Sequence, residues 1–112
     1  MLATLPAFAA DPAPMQIGDA QQALERARAA APQGPAADML AEAEQRLVQA
    51  QAALAGRHSR EAVRLASESE AAADLALARA RFDRARMEIE RKTLRNAELR
   101  RRLLAPPAGS EQ

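Results

Sequence analysis

Residues 60–104 read REAVRLASESEAAADLALARARFDRARMEIERKTLRNAELRRRLL, with no proline and no glycine. Ala, Glu, Arg and Leu dominate this run. They are strong helix formers, whereas a single internal proline costs about 3 kcal/mol. The run therefore predicts one unbroken helix, about 65 Å long at a rise of about 1.5 Å per residue. Just upstream, residues 36–55 predict a second helix. Leu40, Ala43, Leu47, Ala50 and Leu54 recur there in alternating steps of three and four, an a/d seam. Gly56 is expected at the left-handed C-cap and Ser59 at the N-cap of the long helix. Further upstream, residues 19–31 predict a first helix with Asp19 as N-cap. Its apolar stripe is Ile17, Ala20, Leu24, Ala27 and Ala31. Pro32-Gln33-Gly34-Pro35 is a turn. Pro6, Pro12 and Pro14 are read as keeping an extended linker within residues 1–16, and Pro106-Pro107 as ending the last helix before a disordered tail, residues 105–112.

Short turns make neighbouring helices antiparallel. The expected fold is all-α: an antiparallel three-helix arrangement, a hairpin plus a short first helix, with a long, coiled-coil-like final helix. Ala62, Leu65, Ala66, Ser69, Ala72, Ala73 and Ala76 form the seam of that final helix, and their small side chains favour close approach by its neighbours. The second helix is about 30 Å long, so the first two are expected to cover only the N-terminal half of the third. Residues 80–104 are then left as an arm.

Composition narrows the chemistry. The 112 residues are 48% hydrophobic but 2% aromatic, and alanine supplies 31 of them. There is no cysteine, which excludes a disulfide framework and a thiolate metal site. The single histidine, His58, falls in a predicted turn without ligand partners. Ser59 lies beside it with no remote base in view. Ser67 and Ser69 read as small seam or surface residues. Glu68, Glu70 and Asp74 lack the spacing of a calcium loop. The four glycines form no phosphate-binding loop. A non-enzyme without cofactor or metal is the expectation. The scarcity of aromatics also disfavours binding to single-stranded nucleic acid.

Charge is segregated although the total is +1. Residues 79–102 hold ten basic and four acidic side chains, a net of +6, whereas residues 36–74 hold four and seven, a net of −3. At 100° per residue, Arg84, Arg91, Arg95 and Arg102 share one narrow line, a candidate contact for anionic lipid or glycan. The opposite side carries Leu75, Ala78, Phe82, Ala85 and Ile89, after which Thr93, Asn96 and Arg100 interrupt the stripe. Leu75, Phe82 and Ile89 are the candidate residues for self-association or for a protein partner. Glu88 with Lys92 and Glu98 with Arg102 are favourable i,i+4 pairs that solvate the same helix.

The first ten residues, MLATLPAFAA, form an apolar run ending in small side chains. Ala7-Phe8-Ala9 fits the small-x-small cleavage rule and resembles the end of a secretory signal peptide. No basic residue precedes the run, which is consistent with a start upstream of Met1. Export to the periplasm is the expectation; a cytoplasmic helical adaptor is the alternative. No stretch approaches the roughly 20 apolar residues of a transmembrane helix.

Four segments together carry a family likeness: Ala20-Gln21-Gln22-Ala23-Leu24-Glu25-Arg26-Ala27; Ala41-Glu42-Ala43-Glu44-Gln45-Arg46-Leu47 with Ala50 and Leu54; Gly56 followed by Glu61-Ala62-Val63-Arg64-Leu65-Ala66; and Ala71-Ala72-Ala73-Asp74-Leu75-Ala76-Leu77-Ala78-Arg79-Ala80. The chain resembles, over residues 17–104, a bacterial cell-envelope family catalogued as domain of unknown function 4398. The resemblance implies a helical hairpin with a long final helix. In that family it often follows a signal peptide or a lipid-modified cysteine, and is sometimes joined to a peptidoglycan-binding domain. It implies no activity and no catalytic residues. The expected function is a periplasmic helical interaction or structural module of the cell envelope.

Overall fold

The computed structural model describes residues 11–105, in which three α-helices occur and no strand. α1 spans Ala13–Ala29, α2 Pro35–Ala55 and α3 Ser59–Leu104. The signal-like run and Pro106-Pro107 with the tail beyond them lie outside the described residues. α3 is continuous over 46 residues, as its uninterrupted composition predicts.

α1 begins six residues before the expected Asp19 and takes in part of the expected linker. Asp19 is therefore an internal residue and not a cap. The physical reason lies at Asp11: its Oδ1 accepts the Ala13 backbone N–H at 2.9 Å. Pro12 and Pro14 do not hold this segment extended. They sit at the first turn, where a helix has no use for their missing N–H groups. The other Asp11 oxygen accepts the Ser59 hydroxyl at 2.7 Å, joining the starts of α1 and α3. Ser59, expected as a cap, is the first residue of α3.

Both turns are resolved by backbone geometry. Ala31 (φ 50°) follows α1, its N–H bonded to the Arg28 carbonyl at 2.9 Å. Gly34, with φ 59° and ψ −132°, accepts the N–H groups of Ala37 and Asp38 and opens α2. At the other end of α2, Gly56 is not left-handed, with φ −85°; Arg57 takes that role at φ 64°. Arg57 N–H bonds the Leu54 carbonyl at 2.9 Å and His58 N–H the Ala53 carbonyl at 2.8 Å. That is the Schellman pattern, whose left-handed residue is the one after the cap. The sequence expectation placed it one residue early because glycine is the usual occupant.

The chain divides into two units, Met1–Ala80 and Arg81–Gln112. In the first, three apolar layers stack along the helices. One joins Ile17 and Ala20 with Ala50, Leu65 and Ala66; the next joins Ala23, Leu24 and Ala27 with Ala43, Ala73 and Ala76; the last joins Ala30, Ala36 and Ala80. Numbering rises through these layers in α1, falls in α2 and rises in α3, so consecutive helices are antiparallel. Among the described residues, thirteen of the sixteen buried apolar side chains are alanine; Ile17, Leu24 and Leu65 are the exceptions. The α2 seam lies where expected, with Leu40, Leu47 and Leu54 flanking the buried alanines. In α1 the stripe ends at Ala30, because Ala31 has already left the helix and is exposed.

Polar contacts fix the register of these layers. Ser69, fully buried, donates its hydroxyl to the Ala43 carbonyl at 2.7 Å. Arg28 pairs with Glu44 at 2.7 Å, Arg46 with Glu68 at 3.0 Å, and Gln16 donates to Glu70 at 2.9 Å. These ion pairs are exposed enough that each is worth at most about 1 kcal/mol.

The candidate interaction face of the C-terminal helix

In the second unit, residues 81–104 of α3 include no buried residue. Phe82 and Ile89 are 57% and 65% exposed, and Met87, Leu94, Leu99, Leu103 and Leu104 are exposed as well. Leu75, the third candidate, belongs to the first unit and is likewise 56% exposed. All three candidate apolar residues are thus uncovered by the described residues of this chain. Ten basic side chains within residues 79–102 accompany them.

Arg84, Arg91, Arg95 and Arg102 all lie on α3 and are all exposed. Arg102 is held by Glu98 at 3.3 Å, the pair its spacing predicts, and Arg101 reaches the same carboxylate at 2.6 Å. Glu88 and Lys92 pair at 3.3 Å, again as spaced, and Arg86 pairs with Glu90 at 3.4 Å. The glutamates are therefore engaged along the helix. Arg91 and Arg95 form no ion pair among the described residues.

The remaining chemistry is dispersed. Glu68 is shared by Arg46 and Arg64, Glu70 accepts from Gln16, and Asp74 lies 3.9 Å from Arg26. The three carboxylates thus answer to different partners, Glu68 to α2 and α3 and the other two to separate residues of α1. His58 is exposed in the α2–α3 turn. A shallow depression lined by Gln21, Leu24, Glu25, Arg28 and Leu47 lies between α1 and α2, with Arg28 already committed to Glu44. Among the described residues, no group of three or more His, Asp or Glu is placed to hold a metal ion, and no helix is long and apolar enough to cross a membrane.

Against this geometry stands the family comparison. The family described as Domain of unknown function (DUF4398) matches residues 15–92. The chain belongs to that family. Its match takes in all three helices, including the first part of the exposed segment. No curated protein and no solved structure matches the chain.

Proposed function

We propose that this chain is a non-enzymatic helical interaction module of the bacterial cell envelope, acting in the periplasm and pairing residues 81–104 of α3 with a helix of another protein molecule. The observation that carries the reading is the exposure of Phe82 and Ile89 on one face of a 46-residue helix. A solvated helix of this length gains nothing from large apolar side chains at seven-residue spacing. Burying each stabilises a complex by about 1.5–3 kcal/mol. Export is supported by the apolar run ending in Ala7-Phe8-Ala9.

The test is site-specific photo-cross-linking in the native cell. A photoreactive residue at position 82 is expected to give a discrete protein adduct, and the same residue at the exposed bundle position Val48 is expected to give none. Equal labelling from both positions refutes the proposed face. The mass of the mature N-terminus reports on the compartment: a start at Ala10 marks export, and a chain left uncleaved ahead of Ala10 marks the cytoplasmic alternative.

A second reading rests on a different observation, the exposed line of Arg84, Arg91, Arg95 and Arg102. It is peripheral contact with anionic lipid or glycan. Vesicle co-sedimentation at low and physiological salt separates it from helix pairing, because an electrostatic contact weakens as salt screens it.

A further inference from the structure

The second unit carries a coiled-coil frame whose flanking charges specify its partner. Counted in strict sevens from Phe82, the a positions are Phe82, Ile89, Asn96 and Leu103, and the d positions are Ala85, Lys92 and Leu99. The apolar stripe that fades at 3.6 residues per turn resumes at 3.5, the repeat of supercoiled helices, with Leu99 and Leu103 beyond the polar Lys92 and Asn96. Every one of these seven residues is exposed on α3.

The residues beside this seam decide what can cover it. The g positions are Arg81, Glu88, Arg95 and Arg102, and the e positions are Arg86, Thr93 and Arg100. Five of the seven are arginine, and one is acidic. In a parallel pair with a second copy, each g residue meets the e residue five places on. Arg81 then faces Arg86 and Arg95 faces Arg100, while Glu88 faces only Thr93. In an antiparallel pair e meets e and g meets g; the e set holds no carboxylate, and in the g set Glu88 alone stands against three arginines. Neither orientation of a homodimer neutralises the flanks. Arg81, Arg95 and Arg100 form no ion pair among the described residues, so their charges are available.

We infer that the seam of residues 82–103 takes an acidic amphipathic helix, with Asp or Glu at its own e and g positions, and not a second copy of this chain. The inference rests on the proposed helix-pairing function and names the partner's chemistry. A lipid surface fits less well. The apolar face is a narrow stripe interrupted by Lys92 and Asn96, whereas a helix lying in a bilayer interface needs a broad apolar face. In a coiled coil an Asn at one a position is a register device, and Lys92, at d, is already paired with Glu88 of its own helix at 3.3 Å.

The test uses the full chain and two synthetic peptides of about four heptads. Both have Ile at a and Leu at d, with Asn placed to face Asn96 and Glu to face Lys92. One carries Glu at every e and g position, the other Lys. The expected result is binding of the Glu peptide at least about tenfold tighter than the Lys peptide, weakening as salt rises from about 50 to about 500 mM. Ile89→Asp is expected to abolish it. Replacing Arg81, Arg86, Arg95, Arg100 and Arg102 together by Glu is expected to reverse the preference, an outcome that misfolding does not produce. The chain alone is expected to sediment as a monomer.

A stable dimer lost in Phe82→Asp overturns the inference in favour of a second copy and leaves the helix-pairing reading standing. Equal binding of both peptides, or of neither, overturns the charge assignment. Tighter binding to phosphatidylglycerol vesicles than to the Glu peptide, retained in Ile89→Asp, overturns the inference and points to the lipid surface. Failure of cross-linking from position 82 removes the underlying reading itself.

Discussion

Gly34 and Arg57 both hold positive φ, but for different reasons and with opposite consequences. At Gly34 the pair φ 59°, ψ −132° belongs to glycine alone, although a Cβ would meet nothing within 4 Å. Gly34→Ala is therefore expected to destabilise the fold by about 1–3 kcal/mol through backbone strain, seen as a lower urea midpoint. Arg57 sits at φ 64° in the Schellman turn, a conformation that costs a residue with a Cβ about 1–2 kcal/mol. Glycine there loses about 0.5–1 kcal/mol to chain entropy. Arg57→Gly is thus expected to stabilise by up to about 1 kcal/mol in the same assay.

Asp11 supplies a pH dependence at the same scale. The Ala13 backbone N–H, and then the Ser59 hydroxyl, hold its carboxyl below the ordinary aspartate value. A lowered folded pKa gives stability that is present above the unfolded value of about 3.9 and is lost as pH falls through the folded one. Protection factors at the Ala13 and Gln16 amides, taken against the unfolded-chain exchange rate at each pH, are expected to fall on acidification below about pH 4. In Asp11→Asn that acid step is expected to vanish.

The three packed helices owe their arrangement to alanine, and most of their apolar pattern is legible in the sequence. The α2 seam and the α3 line Ala62, Leu65, Ala66, Ser69, Ala72, Ala73, Ala76 follow from spacing alone, and the structure buries every residue of the α3 line except Ala72, which packs half-buried against it. Because alanine contributes little area, the few large buried side chains matter more. Leu24, 1% exposed, is the largest fully buried side chain among the described residues, and it lies in the layer with Ala43 and Ala73. Leu24→Ala is expected to cost about 2–5 kcal/mol, the upper part of that range if the small-residue layer does not collapse. Thermal melts followed by far-UV circular dichroism check it. The start of α1 was not legible, because Pro12 and Pro14 read locally as an extended linker. Their helical role depends on Asp11, whose second oxygen is occupied by a residue 48 positions away.

Among the described residues, the buried apolar side chains fall within residues 13–80, and residues 81–104 contain none. A helix without tertiary packing is marginal in water and opens at low free energy. Native-state hydrogen exchange is therefore expected to show strong protection at Leu65, Ser69 and Ala73 and fast exchange across residues 84–102. Protection of the second segment should rise only when the Glu peptide is added. Uniform protection along α3 in the free monomer would contradict the division of the chain into a packed unit and an unpacked one.

Helix content, the continuity of α3, the α2 seam and the segregation of charge were set by the chain itself. Each depends on neighbours within about a turn or a heptad, and an uninterrupted run of helix formers leaves one local solution. The exposure of Phe82 and Ile89 followed from helix lengths that the sequence also carries. Three features needed the assembled bundle: the start of α1, the left-handed turn at Arg57, and the pairing of Ser69 with the Ala43 carbonyl. In each, the deciding group is a hydrogen-bond partner, or a turn closed by packing, whose place local sequence does not specify.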